Sequence, residues 1–559
     1  MLTKQKDISV IESSNGVPHA QLPDNFTFGD FFDESAATNP ATAHEKLVWQ
    51  LASILFDTIT IPEHLEQVGN IEERLRKDNL STFWQKLVDD ASSKGAALAK
   101  SDEEKAIASL SGHRVPDACG HLINAGDFHL ATLVALIGSK DSMRHDMRQQ
   151  LNDWKKTQML SEFSQPIRAI YEMLAGNVCY CSGSKDVNDR MEAFVISKRF
   201  GLDWRQAFGL RLWYGISSND VLDAAVETFA EDLSQDKESA RPQAWYIEQK
   251  VPVLWDDANR EERDDLLWGL LKLYTFADSD IEDVLRPENS QLSPLDIRLS
   301  WQLSRALISS GRARYADDDN DKADQMTLSF AAQLTNEGSW LDAIFVLLHL
   351  TSDDAREKSI QDHLAHHAGL ISAEDGQNFT TLTQTFRIPA AWVWEAKALY
   401  MRSVERDPTG EVECLIKAGS YNEAHRTFAR EVAPKAVVEL DYDTLRTLLH
   451  GFQGKEGTIA EWHLGGEIYQ DFLELLHNDK KGRPVDDLVL ERLLSGLPAV
   501  VQDSRHPSFM ETVAVETISG VVAKTVIAMS KKGEVSTPIE ESKKTRMLTR
   551  CRNPIFTRS

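Results

Sequence analysis

Cysteine is scarce in this chain of 559 residues, and its five copies are too scattered to form a disulfide framework. An odd number of cysteines is typical of a reducing compartment. Two of them form a C-x-C pair, but the sequence has no second pair to complete a tetrahedral zinc site. We therefore expect no disulfide, no structural metal and no cofactor. The cysteines are Cys119, Cys179, Cys181, Cys414 and Cys551.

Long apolar runs are also missing. No stretch reaches the roughly 18 uncharged apolar residues that are needed to span a bilayer. The N-terminal sequence MLTKQKDISVIESS lacks the apolar core of a signal peptide. These absences predict a nucleocytoplasmic protein that does not insert into membranes.

Positive charge is in deficit. Lysine and arginine number 61 against 87 acidic residues, which gives a formal net charge of −26. A surface of this sign repels phosphate backbones and anionic lipids. The composition therefore excludes extended direct contact with nucleic acid or with acidic membranes.

Motifs of catalysis are absent as well, including G-x-S-x-G and G-x-G-x-x-G. Residues 450–457, HGFQGKEG, have the wrong spacing for a phosphate-binding loop and are predicted to connect helices. The histidines of DHLAHHAG lack an H-E-x-x-H pattern and are predicted to satisfy carbonyls at a helix end. His349 stands alone in an apolar helix, where a hydrogen-bonded core histidine is expected. The sequence thus predicts a protein that is not an enzyme. The clustered histidines are His363, His366 and His367.

What the chain has in abundance is helical periodicity, which begins at His44 and continues almost without interruption. In residues 202–215, Asp203 and Gln206 have the spacing of a capping box before an apolar stripe. In residues 292–307, Ser293 is predicted to cap a helix that has proline at its first position. The segment 341–350 is apolar on all sides and is therefore predicted to lie between other helices.

The two ends of the chain differ from this helical body. Residues 1–43 are polar and are predicted to be an arm or linker with at most one short strand. Residues 512–529 are rich in β-branched side chains but too long for a strand, which favours a helix. Residues 533–559 are basic and are predicted to be disordered. The polar stretch 232–243 is predicted to be a surface loop.

A recurrent junction is the most informative feature of the sequence. In each copy a helix ends at a glycine, which adopts a left-handed conformation without steric cost. The following Asp or Ser is predicted to cap the next helix, and an aromatic residue then packs into the corner. An alanine four residues after the cap allows the two helices to approach closely. The copies comprise Gly126, Asp127 and Phe128; Gly338, Ser339 and Trp340; and Gly419, Ser420 and Tyr421.

These junctions predict tight antiparallel helix pairs, which stack into solenoids because each pair buries its apolar face on its neighbours. The copies are irregularly spaced, so a short-period repeat array is excluded. We therefore expect an all-α protein with the architecture of an irregular α-solenoid.

Several segments together resemble one family, the helical scaffold nucleoporins of the ninety-six-kilodalton type. Members of this family are released as the C-terminal product of a self-cleaving precursor, and this chain is expected to be such a product. The most specific of the similar segments are LDWRQAFGLRLWYG and LDAIFVLLHL. The segments follow the family's order over roughly residues 44–530 and lie at 121–135, 202–215, 270–276, 293–303, 337–350, 388–400 and 461–473.

The resemblance implies a structural subunit of the Y-shaped coat of the nuclear pore complex, which supports transport of protein and mRNA. It implies a solenoid that folds back on itself, with a trunk that leads into a crown, returns, and continues into a tail. The expected parts are a first trunk segment at 44–112, the crown at 113–290, the returning trunk at 291–400 and the tail at 401–532.

The resemblance also implies partners. The crown would bind another helical nucleoporin, and the tail would bind a nucleoporin that combines a propeller with helices. Family members also complete a Sec-thirteen-type β-propeller with an N-terminal blade, which is not evident in residues 1–43. Which residues form these interfaces does not follow from the sequence.

Two other classes of protein compete with this interpretation. The first is a vesicle-coat subunit or another helical adaptor of the same architecture, against which the ordered similarity at 202–215 and 388–400 argues. The second is a helical enzyme, which would require convergent polar residues with shifted pKa values in one pocket.

Overall fold

The computed structural model of the chain is almost entirely helical, with two small two-stranded sheets among the residues that it describes, which confirms the all-α prediction. None of the described helices is both long and apolar enough to cross a membrane. The description covers residues 2–531 except 32–38, 62–69, 139–140, 185–190, 218–219, 254, 314, 316–319, 372–373, 375, 482–485 and 504–507. The predicted disorder of residues 533–559 therefore lies outside the described residues.

The chain divides into two compact units. The N-terminal unit contains Met1–Val10 and Ala20–Gly338, and the C-terminal unit contains Ile11–His19 and the chain from Ser339 onward. This division does not coincide with a boundary of the expected trunk, crown or tail, so that finer division stays a prediction.

The N-terminal segment is more ordered than the sequence analysis predicted. Residues 1–43 contain a helix, α1 at Leu2–Ile8, and two paired strands, β1 at Val10–Ser14 and β2 at Val17–Gln21. The prediction of at most one strand was therefore wrong. The two strands pair because the dipeptide between them forms a tight turn, in which Asn15 has φ 52° and Gly16 has φ 85°. Positive φ at both central residues is the requirement of a type I′ hairpin turn, and Asn-Gly is its preferred sequence.

The helices of the N-terminal unit begin and end at recognisable signals. Helix α2 begins with a capping box between Asn39 and Thr42 and has proline at its first position. At its C-terminal end, buried Arg76 donates to the carbonyl oxygens of Ile54 and Leu55 at 2.7 and 2.6 Å. The helices are α2 Pro40–Phe56, α3 Ile71–Leu98, α4 Asp102–Leu110, α5 Val115–Asn124, α6 Phe128–Val134, α7 Asp141–Lys156, α8 Gln165–Leu174, α9 Ile196–Phe200, α10 Trp204–Leu210, α11 Leu222–Ser234, α12 Trp245–Glu248, α13 Leu266–Thr275, α14 Ile281–Val284, α15 Arg298–Ser309 and α16 Asn320–Asn336, and the strands between α8 and α9 are β3 Tyr180–Cys181 and β4 Phe194–Val195.

Aromatic side chains fill the centre of this unit. The ring of Trp84 lies 5.9 Å from that of Trp204 and 4.7 Å from that of Phe208. Phe229 meets Trp268 edge to face at 5.1 Å. Large aromatic rings bury much apolar area and favour tilted contacts of this kind. The tryptophans thus connect α3, α10, α11 and α13 into one core.

The C-terminal unit is a second series of helices. The apolar segment 341–350 belongs to α17 and the turn after it; its residues 343–350 are buried as predicted, and Leu341 is half-buried. The β-branched segment 512–529 lies within one long helix, which confirms that prediction. The helices are α17 Trp340–Leu347, α18 Asp353–His367, α19 Gln377–Thr380, α20 Ala390–Tyr400, α21 Pro408–Ala418, α22 Tyr421–Thr427, α23 Ala433–Glu439, α24 Tyr442–Gly451, α25 Gly466–Lys481, α26 Asp487–Asp503 and α27 Phe509–Lys531.

Shorter helical turns of other types connect or extend these helices. Among the residues that the structure describes, four of these turns are π-helical, with hydrogen bonds between residues five apart, and such turns are frequent at functional sites. The π-helical turns are Arg211–Gly215, Thr381–Thr385, Met401–Glu405 and Phe428–Val432. The 3₁₀ turns are Phe28–Phe31, Met159–Glu162, Arg260–Glu262, Pro287–Asn289, Ala368–Leu370, Glu456–Thr458 and Trp462–Leu464.

Two predicted helix starts have different outcomes. Asp203 and Gln206 form the predicted capping box at the start of α10. The prediction that Ser293 caps a helix was wrong, because α15 begins at Arg298. The Ser293 hydroxyl instead accepts a hydrogen bond from the Leu295 N–H at 3.2 Å, which holds the chain in a turn.

Candidate interaction surface

The three predicted corners all turn at glycine. Gly126, Gly338 and Gly419 have φ values of 85°, 83° and 83°, within the left-handed region. A Cβ atom added at any of them would meet no neighbouring atom within 4 Å. Backbone conformation and not lack of space therefore requires glycine here.

The residues after these glycines do not all act as predicted. The carboxylate of Asp127 accepts a hydrogen bond from the Leu130 N–H at 2.9 Å and caps α6. Ser339 and Ser420 stand at the same position before α17 and α22, but their hydroxyls make no capping bond. The Ser420 hydroxyl donates to the Glu395 carboxylate instead, at 2.9 Å.

The alanines and aromatic residues of the corners also differ in their outcome. The alanines, at positions 131, 343 and 424, are buried, as close helix packing requires. Trp340 is buried and Tyr421 is half-buried, but Phe128 is 66% exposed. The prediction that Phe128 packs into its corner was therefore wrong. The ring points outward because α6 buries its other face, through Leu130 and Val134.

Phe128 belongs to an exposed apolar surface, which we call the α5–α6 surface. On α6, Phe128 and Thr132 are four residues apart and therefore lie on one face, with Leu136 just beyond the helix in the same direction. On α5, Ile123 is 48% exposed, and a Cβ atom at Gly120 would meet open space. Exposed apolar patches on a soluble protein mark sites of interaction.

The α5–α6 surface rests on a firm base. Beneath it, Ala118 and Leu122 of α5 and Leu130 and Val134 of α6 are fully buried in the core of the N-terminal unit. The Cys119 thiol donates to the Ala131 carbonyl across the helix pair, with a sulfur–oxygen distance of 3.4 Å. A rigid base reduces the entropy that a partner must remove on binding.

A second exposed apolar surface lies at the start of α27, and we call it the C-terminal surface. Phe509 and Met510 are 80% and 39% exposed. The start of α27 is fixed by a reciprocal pair of bonds, in which the Glu511 N–H donates to Ser508 at 3.1 Å and the Ser508 N–H donates to Glu511 at 2.5 Å. These side chains are therefore held outward on an ordered helix start.

Buried charged groups form closed networks instead of a reactive site. The carboxylate of Asp265 is fully buried, caps α13, and lies 3.4 Å from His44 and 3.2 Å from Arg205. Burial raises the pKa of Asp265, but the charges of His44 and Arg205 outweigh this and leave it below its ordinary value. Arg205 also pairs with Glu248 at 2.7 Å, and burial raises the pKa of Glu248 to about 7. Asp265 and Glu248 share the guanidinium of Arg205, so the proton binds to Glu248, which has fewer cationic partners.

A second network joins α10 to the predicted surface loop at 232–243. Arg211 is fully buried and donates to Asp232 at 2.8 Å and to Glu238 at 2.9 Å. Its guanidinium also lies 4.8 Å from the centre of the Phe229 ring. The prediction that 232–243 is a surface loop was wrong in two places, because residues 232–234 belong to α11 and Glu238 is buried. The charges satisfy one another, as is typical of a structural network.

The histidines singled out in the sequence bond to backbone carbonyls. His366 and His367 donate to Asp362 and His363, each four residues earlier on α18. His349 donates to the Phe345 carbonyl at 3.0 Å. Burial lowers the pKa of His363 to about 4, with a further contribution from its histidine neighbour. Within the described residues, no group of three potential ligands is arranged to hold a metal ion.

Burial favours the neutral form of the Cys179 and Cys181 thiols. Burial raises the pKa of Cys179 to about 12 and raises the pKa of Cys181 as well. A nucleophilic cysteine requires a lowered pKa, since the thiolate is the reactive form. Neither thiol therefore has the properties of a catalytic nucleophile.

Comparisons with known proteins identify relatives along most of the chain. The family model described as Nuclear protein 96 matches residues 104–400, a range that includes the α5–α6 surface. Nucleoporin NUP145 of Chaetomium thermophilum is 36% identical over 81% of this chain and 22% of its own length. Nucleoporin nup189 of Schizosaccharomyces pombe is 31% identical over 78% of this chain and 24% of its own length. Nuclear pore complex protein Nup98-Nup96 of Drosophila melanogaster is 25% identical over 68% of this chain and 19% of its own length. The chain thus spans about a fifth to a quarter of the length of these relatives.

Proposed function

The chain belongs to the Nuclear protein 96 family, and from this membership we propose that it is a non-enzymatic scaffold subunit of the nuclear pore complex. It acts at the nuclear envelope, in the Y-shaped coat, by holding other nucleoporins in place. Transport of protein and mRNA depends on it only through this assembly. The observation that carries the proposal is the family match over residues 104–400.

The exposed apolar side chains supply the means of assembly. A scaffold binds through a few apolar anchors on a rigid surface, and such anchors carry most of an interface's affinity. The α5–α6 surface lies within the expected crown and has Phe128 and Ile123 as its anchors. We assign it to the other helical nucleoporin. The C-terminal surface lies within the expected tail, and we assign it to the nucleoporin that combines a propeller with helices.

The β1–β2 hairpin is our candidate for the contact with a Sec-thirteen-type propeller. Strand β1 is largely exposed, whereas Val17 and Ala20 of β2 are buried. A free strand edge offers unpaired N–H and C=O groups to another sheet. The hairpin therefore has one edge with which to extend a propeller blade.

The absence of enzymatic activity is part of the proposal. The buried titratable groups described above bond to one another or to backbone carbonyls, so their shifted pKa values follow from structural pairing. The histidine and cysteine residues with the largest shifts are neutral at physiological pH. This chemistry suits a stable scaffold.

Assembly in cells tests the proposal directly. A fluorescent fusion of the full chain is expected at the nuclear rim, and affinity purification is expected to recover nucleoporins. Recovery with vesicle-coat proteins and without nucleoporins would overturn the assignment.

The α5–α6 surface has its own test. Phe128→Glu places a charge at the centre of the surface and is expected to weaken binding of the helical nucleoporin at least about tenfold, since a central anchor is worth 2 kcal/mol or more. Leu98→Glu is the matched control, because Leu98 is 83% exposed at the end of α3, in the expected trunk. Equal binding by wild type and Phe128→Glu would show that this surface is not the crown interface.

A further inference from the structure

Residues 242–265 of the N-terminal unit form a loop whose two ends are bonded to each other. At these ends the Ala244 N–H donates to the Arg263 carbonyl at 3.1 Å, and the Asp265 N–H donates to the Pro242 carbonyl at 2.8 Å. Loops whose ends lie close together are packed by their own side chains and are frequently functional. We call residues 244–263 the strap.

The strap has a small apolar cluster of its own. Trp245 and Tyr246 are buried in it, and Val251, Val253 and Trp255 pack against them. This cluster is separate from the large core of the unit, to which α10 and α13 belong. Among the described residues of the strap, the longest helix is α12, with four residues. A segment with little regular structure and few contacts to the main core opens at a lower free energy than the unit as a whole.

Three aromatic side chains of the strap hold the chain that leads into α15. Each donates one hydrogen bond from its N–H or O–H group to a backbone carbonyl oxygen. The pairs are Tyr246 with Glu288 at 2.7 Å, Trp245 with Ser290 at 2.7 Å, and Trp255 with Leu292 at 2.8 Å. The closed strap therefore fixes the position of residues 288–292 before α15 begins.

A charged cluster joins the strap to three other helices. Glu248, at the end of α12, pairs with Arg205 of α10 at 2.7 Å. Arg205 also lies 3.2 Å from Asp265 of the α13 cap, which lies 3.4 Å from His44 of α2. The His44 ring stacks on Trp245 of the strap, with ring centres 5.5 Å apart. These contacts form a closed circuit that begins and ends on α12.

Glu248 makes this circuit sensitive to pH. Arg205 and Asp203 face it from α10, Asp265 faces it from the start of α13, and His44 of α2 lies beyond Asp265. Burial raises the pKa of Glu248 to about 7, Arg205 opposes this, and the two aspartates add to it. Its side chain is 21% exposed, so protons reach it while the strap is closed. In an open strap its pKa returns to the ordinary value of 4.5, so the closed state is favoured below pH 4.5 and loses this advantage as pH rises through 7.

We propose that residues 244–263 are a pH-responsive strap, which is closed on α2, α10 and α13 while Glu248 carries a proton and opens locally more often once Glu248 is ionised. Ionisation places a second carboxylate beside Asp265 on the guanidinium that both share. Opening uncovers Trp245 and Tyr246 and releases the carbonyl oxygens of residues 288–292. The proposal rests on contacts within the N-terminal unit and does not depend on the nuclear pore assignment.

Hydrogen exchange of the full chain at about pH 6 and about pH 8 tests the strap. Protection factors are compared, because they remove the effect of pH on the chemical exchange rate. The difference in pKa between the closed and open states predicts that local opening rises about tenfold between these two pH values. Strap amides such as that of Val251, which donates to the Tyr246 carbonyl at 2.8 Å, are expected to lose protection by this factor. Amides of α13 are expected to be better protected at both pH values, since they exchange only when the whole unit unfolds.

Two variants identify the responsible group. Glu248→Gln keeps a side chain that forms hydrogen bonds but cannot ionise, so its strap is expected to have equal protection at both pH values. Glu261→Gln is the matched control, because Glu261 is an exposed acid of the same strap outside the circuit. This control is expected to lose protection about tenfold, like wild type, and thermal unfolding is expected to show that both variants are folded.

Three outcomes would overturn the proposal. The first is a wild-type strap with the same protection factors at both pH values. The second is an equal loss of protection in wild type and Glu248→Gln, which would assign the pH dependence to another group. The third is a strap whose protection equals that of α13 at both pH values, which would show that it opens only with the whole unit.

Discussion

Replacing Glu238 by alanine is expected to destabilise the N-terminal unit by about 3–5 kcal/mol, the usual cost of removing one partner from a buried ion pair. Glu238 is fully buried and accepts hydrogen bonds from Arg211 at 2.9 Å, from the Ser239 N–H at 2.8 Å and from the Ala240 N–H at 3.0 Å. The Ser197 hydroxyl donates to the same carboxylate. One side chain therefore satisfies four donors.

The size of the effect follows from what the alanine leaves behind. Arg211 is fully buried and keeps only Asp232, at 2.8 Å, as a charged partner. A buried donor that loses its acceptor costs about 1–3 kcal/mol, and several are lost together here. Glu238→Gln keeps an oxygen that accepts from the backbone N–H groups, so its cost is expected to be smaller, about 1–3 kcal/mol.

Urea unfolding of the full chain at neutral pH, followed by tryptophan fluorescence, measures the free energy of unfolding. Glu231→Ala is the matched control, because Glu231 is an exposed acid of α11 seven residues before Glu238, and its carboxylate accepts a hydrogen bond from Gln235. Its cost is expected to stay within about 0.5 kcal/mol, as for most surface substitutions.

A double variant separates the charge from the other contacts. Arg211→Met removes the buried charge and keeps an apolar stem against Phe229, which the guanidinium now covers at 4.8 Å. The combination with Glu238→Ala is expected to lose less than the sum of the two single costs, because each single substitution already removes the contact between Arg211 and Glu238. A loss below about 1 kcal/mol in Glu238→Ala, or a double variant that loses the sum of both single costs, would refute the reasoning.

Three further predictions concern other parts of the chain. The pKa of Glu248 is raised to about 7, so its stabilising proton is fully bound below pH 4.5 and is lost as pH rises through 7. Relative to Glu248→Gln, wild type should lose about 3 kcal/mol of unfolding free energy over that range in a pH series of urea titrations. Gly126→Ala should lower the free energy of unfolding by about 1 kcal/mol, because Gly126 has positive φ. Gly120→Ala should raise it by about 0.5–1 kcal/mol in the same assay, because Gly120 lies within α5 and an added Cβ atom would meet open space. Burial lowers the pKa of His425 to about 4. The neutral imidazole therefore contributes to the free energy of unfolding above pH 6.5, and this contribution is lost as pH falls through 4. His425→Gln should lose less unfolding free energy than wild type over the same acid titration.

The fold class was predictable because helical periodicity is a local property. In the segments 202–215 and 341–350 the spacing of apolar residues predicts the helices. The capping box of Asp203 and Gln206 predicts a helix start that the structure confirms. The N-terminal hairpin was missed although its signal was present, since Asn15 and Gly16 are the preferred pair for a type I′ turn. The polar composition of residues 1–43 favoured an arm or linker over a hairpin.

Burial of charge was not predictable, because it depends on residues distant in sequence. Glu238 stands in a polar stretch that has the composition of a loop, and its partner Arg211 lies 27 positions earlier. The start of α15 was misplaced for a related reason. Ser293 and the proline after it are compatible both with a helix start and with a turn. Only the packing of the helix decides between the two.

The outcome at Phe128 shows why interfaces are the hardest part of a scaffold to find. An aromatic residue after a glycine corner has two stable uses, which are packing beneath the corner, as Trp340 does, and exposure on the outer face. The local sequence does not distinguish the two uses, because Gly-Asp-Phe and Gly-Ser-Trp both specify the turn but not the helix that packs against the aromatic ring. The difference arises from the neighbouring helix, where α5 presents Gly120 and exposes Ile123 beside α6 instead of covering it. The same type of turn thus has two outcomes in this chain, and we expect partners to bind where a residue predicted for the core is found in solvent.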